Sequence, residues 1–370
     1  MNKRIFIVAF FAFLFLAGSV YAAIGITELR TEQLKNPLGI DVRQPRLGWR
    51  IESDEQNVMQ TAYHILVASS ADLLAQGKGD IWDSGKIESD ASQWIAYQGK
   101  PLKRNARYYW KVKVYTNRGE ADWSAPAFWS MGLLNEADWQ GQWIGLDRAA
   151  SGDSEAQWSR LAARYLRKEF ALSKEVKRAT VHIAGMGLYE LFINGQRIGD
   201  QVLAPAPTDY RKTILYNTYD VTPQLRKENA IGVTLGNGRF YTMRQNYKPY
   251  KIPTFGYPKL RLNLIVEYMD GSKETIATNT SWKLTTEGAI RSNNEYDGEE
   301  YDARKELGNW TQSGYDDKSW IAAQRVSIPS GTLRAQIMPG MKVMDTLKPV
   351  SIQKLGDKYI LDFGQNMAGW

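Results

Sequence analysis

The chain has 370 residues, of which 43% are hydrophobic and 12% aromatic, with a formal net charge of +7 and no cysteine. That length suits about two to three domains with ordinary cores, so disorder is not the expectation; disulfides, thiolate metal centres and a lipid-modified cysteine are excluded. The basic residues are scattered among acids rather than gathered into a stripe, which argues against a nucleic-acid partner.

Residues 1–22 read as a secretory signal peptide. Lys3 and Arg4 precede an apolar run from Ile5 to Ala17, and Gly18-Ser19-Val20-Tyr21-Ala22 places small residues where a signal peptidase cuts. The run is about 13 residues against the roughly 20 needed to span a bilayer, so a cleaved leader is preferred to an anchor. The mature protein is expected in the periplasm or secreted, with no membrane attachment after cleavage.

Residues 24–134 form a first block of period-two alternation. Tyr63, Ile65 and Val67 alternate with His64, Leu66 and Ala68, while Trp110, Val112 and Val114 alternate with Lys111, Lys113 and Tyr115. About seven such strands predict a fibronectin type III-like or immunoglobulin-like sandwich without the cysteine pair of antibody domains.

A second block, residues 138–323, opens with Trp139, Trp143 and Ile144, and the polar stretch from Ser151 to Gln157 reads as loop. Strands are predicted over 165–170, 178–184, 187–193, 196–199, 213–220, 230–235, 259–268 and 273–277. Asn194-Gly195 between two of them is a hairpin turn signal, because both central residues of a type I′ turn need positive φ. The whole predicts a jelly-roll sandwich. Residues 328–370 read as the start of a further β-sandwich, with Tyr359, Leu361 and Phe363 alternating against Ile360 and Asp362. The chain therefore reads as all-β, and as the front part of a longer protein.

No nucleophile elbow, phosphate loop or paired histidine motif is present. The two histidines, His64 and His182, both fall inside strand patterns. The densest acidic stretch is Glu295, Asp297, Glu299, Glu300, Asp302 and Glu306, interleaved with Tyr296, Tyr301 and Arg304. Two carboxylates flanking a sugar can run glycoside hydrolysis, but sequence spacing fixes no separation between them. A loop whose acids pair with Arg304, Arg291 and backbone amides is the preferred reading. Tyr210, Tyr216, Tyr219, Phe240, Tyr241, Tyr247 and Tyr250 sit where strands meet loops and could stack on the apolar faces of sugars or serve as packing.

Several segments carry a family resemblance: Pro45-Arg46-Leu47-Gly48-Trp49-Arg50, Tyr109-Trp110-Lys111-Val112, Gly187-Leu188-Tyr189-Glu190-Leu191-Phe192-Ile193-Asn194-Gly195, Thr208-Asp209-Tyr210-Arg211-Lys212, Gly236-Asn237-Gly238, Gly298-Glu299-Glu300-Tyr301-Asp302-Ala303-Arg304 and Asp362-Phe363-Gly364-Gln365-Asn366. In this ordered series the chain resembles the N-terminal portion of bacterial α-L-rhamnosidases of glycoside hydrolase family 78. The resemblance implies rhamnose-containing glycans or glycosides as partners, and cleavage of terminal α-L-rhamnose with inversion by carboxylates of an α/α-barrel that this chain lacks. No catalytic residue is assigned here. A calcium-dependent rhamnose-binding jelly roll in some relatives implies Asp209 and Asn237 as candidate calcium ligands, with Tyr210, Arg239 and Tyr241 near a sugar. A non-catalytic sugar-binding β protein is the alternative.

Overall fold

The computed structural model describes residues 24–150, 161–241, 255–296 and 298–367. The leader, the loop expected at 151–157, Tyr247, Tyr250 and Asp297 lie outside them.

The first sandwich packs a three-stranded sheet on a five-stranded one. Its strands are β1 (Gly25–Thr31), β2 (Arg46–Glu52), β3 (Gln60–Ala68), β4 (Trp82–Glu88), β5 (Ile95–Ala96), β6 (Arg107–Thr116), β7 (Gly119–Glu120) and β8 (Ala127–Ser130). β1, β2 and β5 form the smaller sheet, and β3 and β6 pair at the centre of the larger. Strict alternation along β6 buries Tyr108, Trp110, Val112 and Val114 against Trp49, Tyr97 and Trp129, leaving Lys111 and Lys113 on the outer face. His64 lies on that outer face, as its alternation predicts, with Nε2 2.6 Å from an Asp83 carboxylate oxygen.

The second sandwich comprises β9 (Ile144–Gly145), β10 (Arg164–Ala171), β11 (Val176–Met186), β12 (Leu188–Ile193), β13 (Gln196–Arg197), β14 (Thr213–Asp220), β15 (Glu228–Gly236), β16 (Lys259–Tyr268), β17 (Lys273–Ala277), β18 (Lys283–Thr285), β19 (Ile290–Asn294), β20 (Gly298–Tyr301), β21 (Ile321–Ala322), β22 (Gln324–Arg325) and β23 (Thr332–Ala335). One sheet runs β13-β12-β15-β10-β18-β21; the other runs β22-β9-β16-β11-β14-β23, with β17 on β16. Asn194 and Gly195 both adopt positive φ, 52° and 82°, and turn β12 into β13 as the Asn-Gly signal predicts.

One core, around Leu166, Val181, Leu191, Val233, Leu262 and Trp282, fills the space between the two sheets. A second cluster of Leu133, Trp139, Trp143, Ala184, Met186 and Tyr216 covers the opposite face of β11. β11 is consequently buried on both faces from Ala179 to Met186 and loses its polar-out alternation.

The first sandwich meets this second cluster. A Cβ at Gly132 would lie 2.2 Å from the Tyr216 hydroxyl, and one at Gly39 2.0 Å from Thr218 Oγ1, so two glycines permit the close approach. The buried His182 bridges the domains, with Nδ1 2.9 Å from Thr218 Oγ1 and Nε2 3.1 Å from Asn105 Oδ1. Arg107 donates to Asp220 at 2.8 Å, and Arg178 donates both to the Asn105 carbonyl and, at 2.8 Å, to Glu267.

The sandwich extends past the boundary expected near residue 323. β23 pairs in parallel with Thr213–Tyr216 of β14, and Ala335 is buried. Residues 332–335 therefore complete the second unit instead of opening a third. β24 (Ser351–Leu355) and β25 (Lys358–Asp362) then form a two-stranded hairpin on which Ile352, Leu355, Tyr359, Ile360 and Leu361 are all exposed.

Candidate functional site

The loops that carry the sequence-derived candidates gather beside the β19–β20 hairpin. The turn after β15 is fixed by Asn237. Its backbone N–H donates to Asn293 Oδ1 at 2.7 Å, and its side-chain amide donates at 2.8 Å to the carbonyls of both Leu161 and Asn293. The two remaining amide atoms, Asn237 Oδ1 and Asn293 Nδ2, are buried without a hydrogen-bond partner. Two residues on, Arg239 Nε donates to Glu295 Oε2 at 2.6 Å, and both side chains keep part of their surface in solvent.

Tyr210 packs against Phe240, the residue that follows Arg239. Its ring meets Phe240 and Phe255 edge-on, each at 5.2 Å between centroids, and it is only 4% exposed. Burial pushes its hydroxyl pKa up to about 12, Glu295 adding to the rise and Arg239 opposing it, so the hydroxyl is within electrostatic reach of the Arg239–Glu295 pair. Tyr241 is also interior, stacked on Tyr257 at 5.6 Å. Phe240, Tyr216 and Tyr210 belong to the cluster under the seven-stranded sheet, and Tyr219 packs on the main core. The packing alternative thus describes these aromatics, and the accessible chemistry of the site is the Arg239–Glu295 pair. Both are exposed enough that Arg239→Ala should cost under about 1 kcal/mol in denaturant unfolding.

Asp209 is occupied differently. Arg211 donates Nε to its Oδ1 at 2.9 Å and an Nη to its Oδ2 at 3.2 Å, and this hydrogen bonding holds the carboxyl below its usual range. Calcium asks for about six to eight oxygen ligands, with carboxylates prominent among them. Here one carboxylate is already neutralised by a guanidinium, the other candidate is a neutral amide, and no group of three or more His, Cys, Asp or Glu side chains is poised for a metal among the described residues. Asp209 and Asn237 therefore bring no cluster of free carboxylates to a calcium ion among the described residues.

The acidic stretch is divided among separate partners. Glu295 is held by Arg239, and Asp302 caps a single 3₁₀ turn while receiving two bonds from Arg304, both at 2.8 Å. The Glu299 carboxyl is raised, by burial first and by Glu190 second. Sequence reasoning placed Glu295 in this stretch but did not join it to Arg239, and did not name Asn293; both contacts depend on how the β19–β20 hairpin docks on the β15 turn.

Two family models match the chain. Residues 26–135 match the Rha78A-like, N-terminal immunoglobulin domain, and residues 174–345 match the α-L-rhamnosidase N-terminal domain. An α-L-rhamnosidase of Formosa agariphila is 40% identical over 90% of this chain and 37% of its own length. The solved α-L-rhamnosidase of Dictyoglumus thermophilum superposes with a TM-score of 0.83 at 39% identity, covering 92% of this chain and 38% of that one. The α-L-rhamnosidase of Streptomyces avermitilis, solved in complex with L-rhamnose, superposes with a TM-score of 0.82 at 26% identity over 93% of this chain and 49% of that one. The sequence match to a Streptomyces avermitilis α-L-rhamnosidase runs over 522 positions, more than this chain possesses, so that relative carries inserted sequence within the matched span. The chain spans about 37% of the length of the first curated relatives it matches.

Proposed function

We propose, from the premise that this chain is built of the N-terminal β-domains of the bacterial α-L-rhamnosidase family, that it is the non-catalytic portion of an exported enzyme that hydrolyses terminal α-L-rhamnosides with inversion. The observation that carries the non-catalytic reading is the dispersal of the acidic stretch. Inverting hydrolysis needs an acid and a base about 6.5–9.5 Å apart across a sugar. Glu295 and Asp302 are instead each committed to an arginine. Export is supported by the charged start, short apolar run and small-residue site of residues 1–22. Rhamnose-containing glycosides as substrates follow from the relatives' activity.

A second reading, glycan binding without hydrolysis, is favoured by the partly exposed Arg239–Glu295 pair, a donor and acceptor set suited to sugar hydroxyls.

Incubation of the purified chain with a chromogenic α-L-rhamnoside, alongside calorimetric titration with L-rhamnose in calcium and in chelator, separates these readings. The expected result is no turnover and no dependence on calcium. Turnover would place an acid–base pair inside this chain and overturn the first reading. Rhamnose heat that is lost in Arg239→Ala would support the second, and a heat that chelator removes would contradict the calcium argument.

A further inference from the structure

We propose that the first sandwich carries its own carbohydrate contact, a pyranose-stacking platform built on Trp94; this rests on the reading of the chain as part of a glycan-processing protein. Trp94 lies in the loop entering β5 and is 54% exposed, although it is among the largest apolar side chains in the molecule. Its backbone φ is +61°, a left-handed conformation that a bulky side chain adopts only against steric cost. Exposure and backbone strain both oppose folding here, and glycine or asparagine would carry the turn with less strain.

The loop is held rigid from beneath. The buried Gln60 donates its amide to the carbonyls of Ser89 at 3.1 Å and Ala91 at 2.7 Å, and the Trp49 backbone N–H donates to the Ser92 carbonyl at 2.9 Å. Trp49 Nε1 in turn donates to Gln60 Oε1 at 3.0 Å, which fixes the amide's orientation.

The ring is held from one side as well. The Arg46 guanidinium lies over it, 4.4 Å from the centroid. Arg46 is itself clamped by the Glu32 carboxylate, which is 4% exposed, through Nε at 3.2 Å and an Nη at 2.6 Å. Glu32 fixes Arg46, and Arg46 lies over Trp94, so the exposed indole surface is presented in one orientation. A broad aromatic face fixed before binding suits the apolar C–H face of a pyranose ring, because little side-chain freedom is lost on contact. The uncommitted donors of Arg46 at the platform edge suit its hydroxyl or carboxylate substituents.

The test is affinity electrophoresis of the whole chain through gels cast with rhamnogalacturonan, with dextran gels as control. The wild-type chain is expected to be retarded only by rhamnogalacturonan, Trp94→Gly to lose that retardation with its melting temperature unchanged or raised, and Trp94→Tyr to recover it. Retardation unchanged in Trp94→Gly would overturn the proposal, as would retardation lost only together with a fall in melting temperature, or no retardation of the wild type. Arg239→Ala run in parallel keeps the readings distinct. Loss there, with Trp94→Gly unaffected, would put the sugar contact on the second sandwich and leave the glycan-processing reading standing.

Discussion

Replacing Arg167 with alanine should lower the unfolding free energy by about 2–4 kcal/mol, because it removes a buried guanidinium that satisfies two backbone carbonyls and pairs with two partly exposed carboxylates. Arg167 projects from the middle of β10 and is 1% exposed. Its Nε donates to the Trp310 carbonyl at 2.9 Å and an Nη to the Gln312 carbonyl at 3.0 Å, while the guanidinium also pairs with Asp317 and Glu169 and lies 5.3 Å from the Tyr315 ring centroid. One side chain therefore binds the whole 310–317 segment to the sheet. Alanine would leave two carbonyls and the Asp317 carboxylate without that donor and would open a cavity beside Trp310 and Trp320. Lysine keeps the charge but lacks the planar fork, so Arg167→Lys should recover only part of the loss. Chemical denaturation followed by tryptophan fluorescence measures both; a change below about 1 kcal/mol for alanine would mean that the segment is held by its aromatic packing alone.

The second large effect is a pH dependence set by His182. Burial, with Arg178 adding to it, pushes the imidazole pKa from 6.5 down to about 3 in the folded chain. Above pH 6.5 the ring is neutral in both states and contributes no slope. As pH falls below 6.5 the unfolded chain takes up a proton that the folded chain refuses, so stability drops by about 1.4 kcal/mol per pH unit until the folded value is reached. The carboxylates with depressed pKa, among them Asp138, Asp147, Asp220 and Glu267, act in the same direction but only below their ordinary values of 3.8 to 4.5. Between pH 6.5 and 5 the histidine should accordingly cost about 2 kcal/mol. Denaturant midpoints across that range should fall in the wild type and flatten in His182→Asn. A wild-type midpoint that is level from pH 7 to 5 would show that His182 takes its proton without unfolding the junction.

Much of this architecture can be read from period-two alternation. The paired strands β3 and β6, the β12–β13 turn at Asn194-Gly195 and the long runs of β11 and β16 all announce themselves. What escapes is short or distant. β9, β21 and β22 are two residues each, too few for any period, and β23 owes its place to parallel pairing with a strand more than a hundred residues earlier.

The site divides in the same way. Tyr210 and Tyr241 have the composition of ligand platforms, yet Phe240, Phe255 and Tyr257 draw them inside, and those contacts depend on the folded loop rather than on local sequence. Trp94 is the reverse case. A lone aromatic in a polar loop carries no periodic signal, and the sign of its φ is invisible until the backbone is built.

The two short strands at the ends of the seven-stranded sheet, β22 and β23, have a consequence for the order of folding. The first sandwich has all its strands once residues up to Ser130 are free to pair, whereas the second must wait for Gln324 and Arg325 to meet β9 and for Thr332–Ala335 to meet β14. Throughout that interval the edges of β9 and β14 are bare and the apolar face of β11 is incompletely covered, a state open to intermolecular strand pairing. The order in which strands complete thus gives the two sandwiches different vulnerabilities, with the second the one exposed to mispairing until Thr332–Ala335 dock on β14.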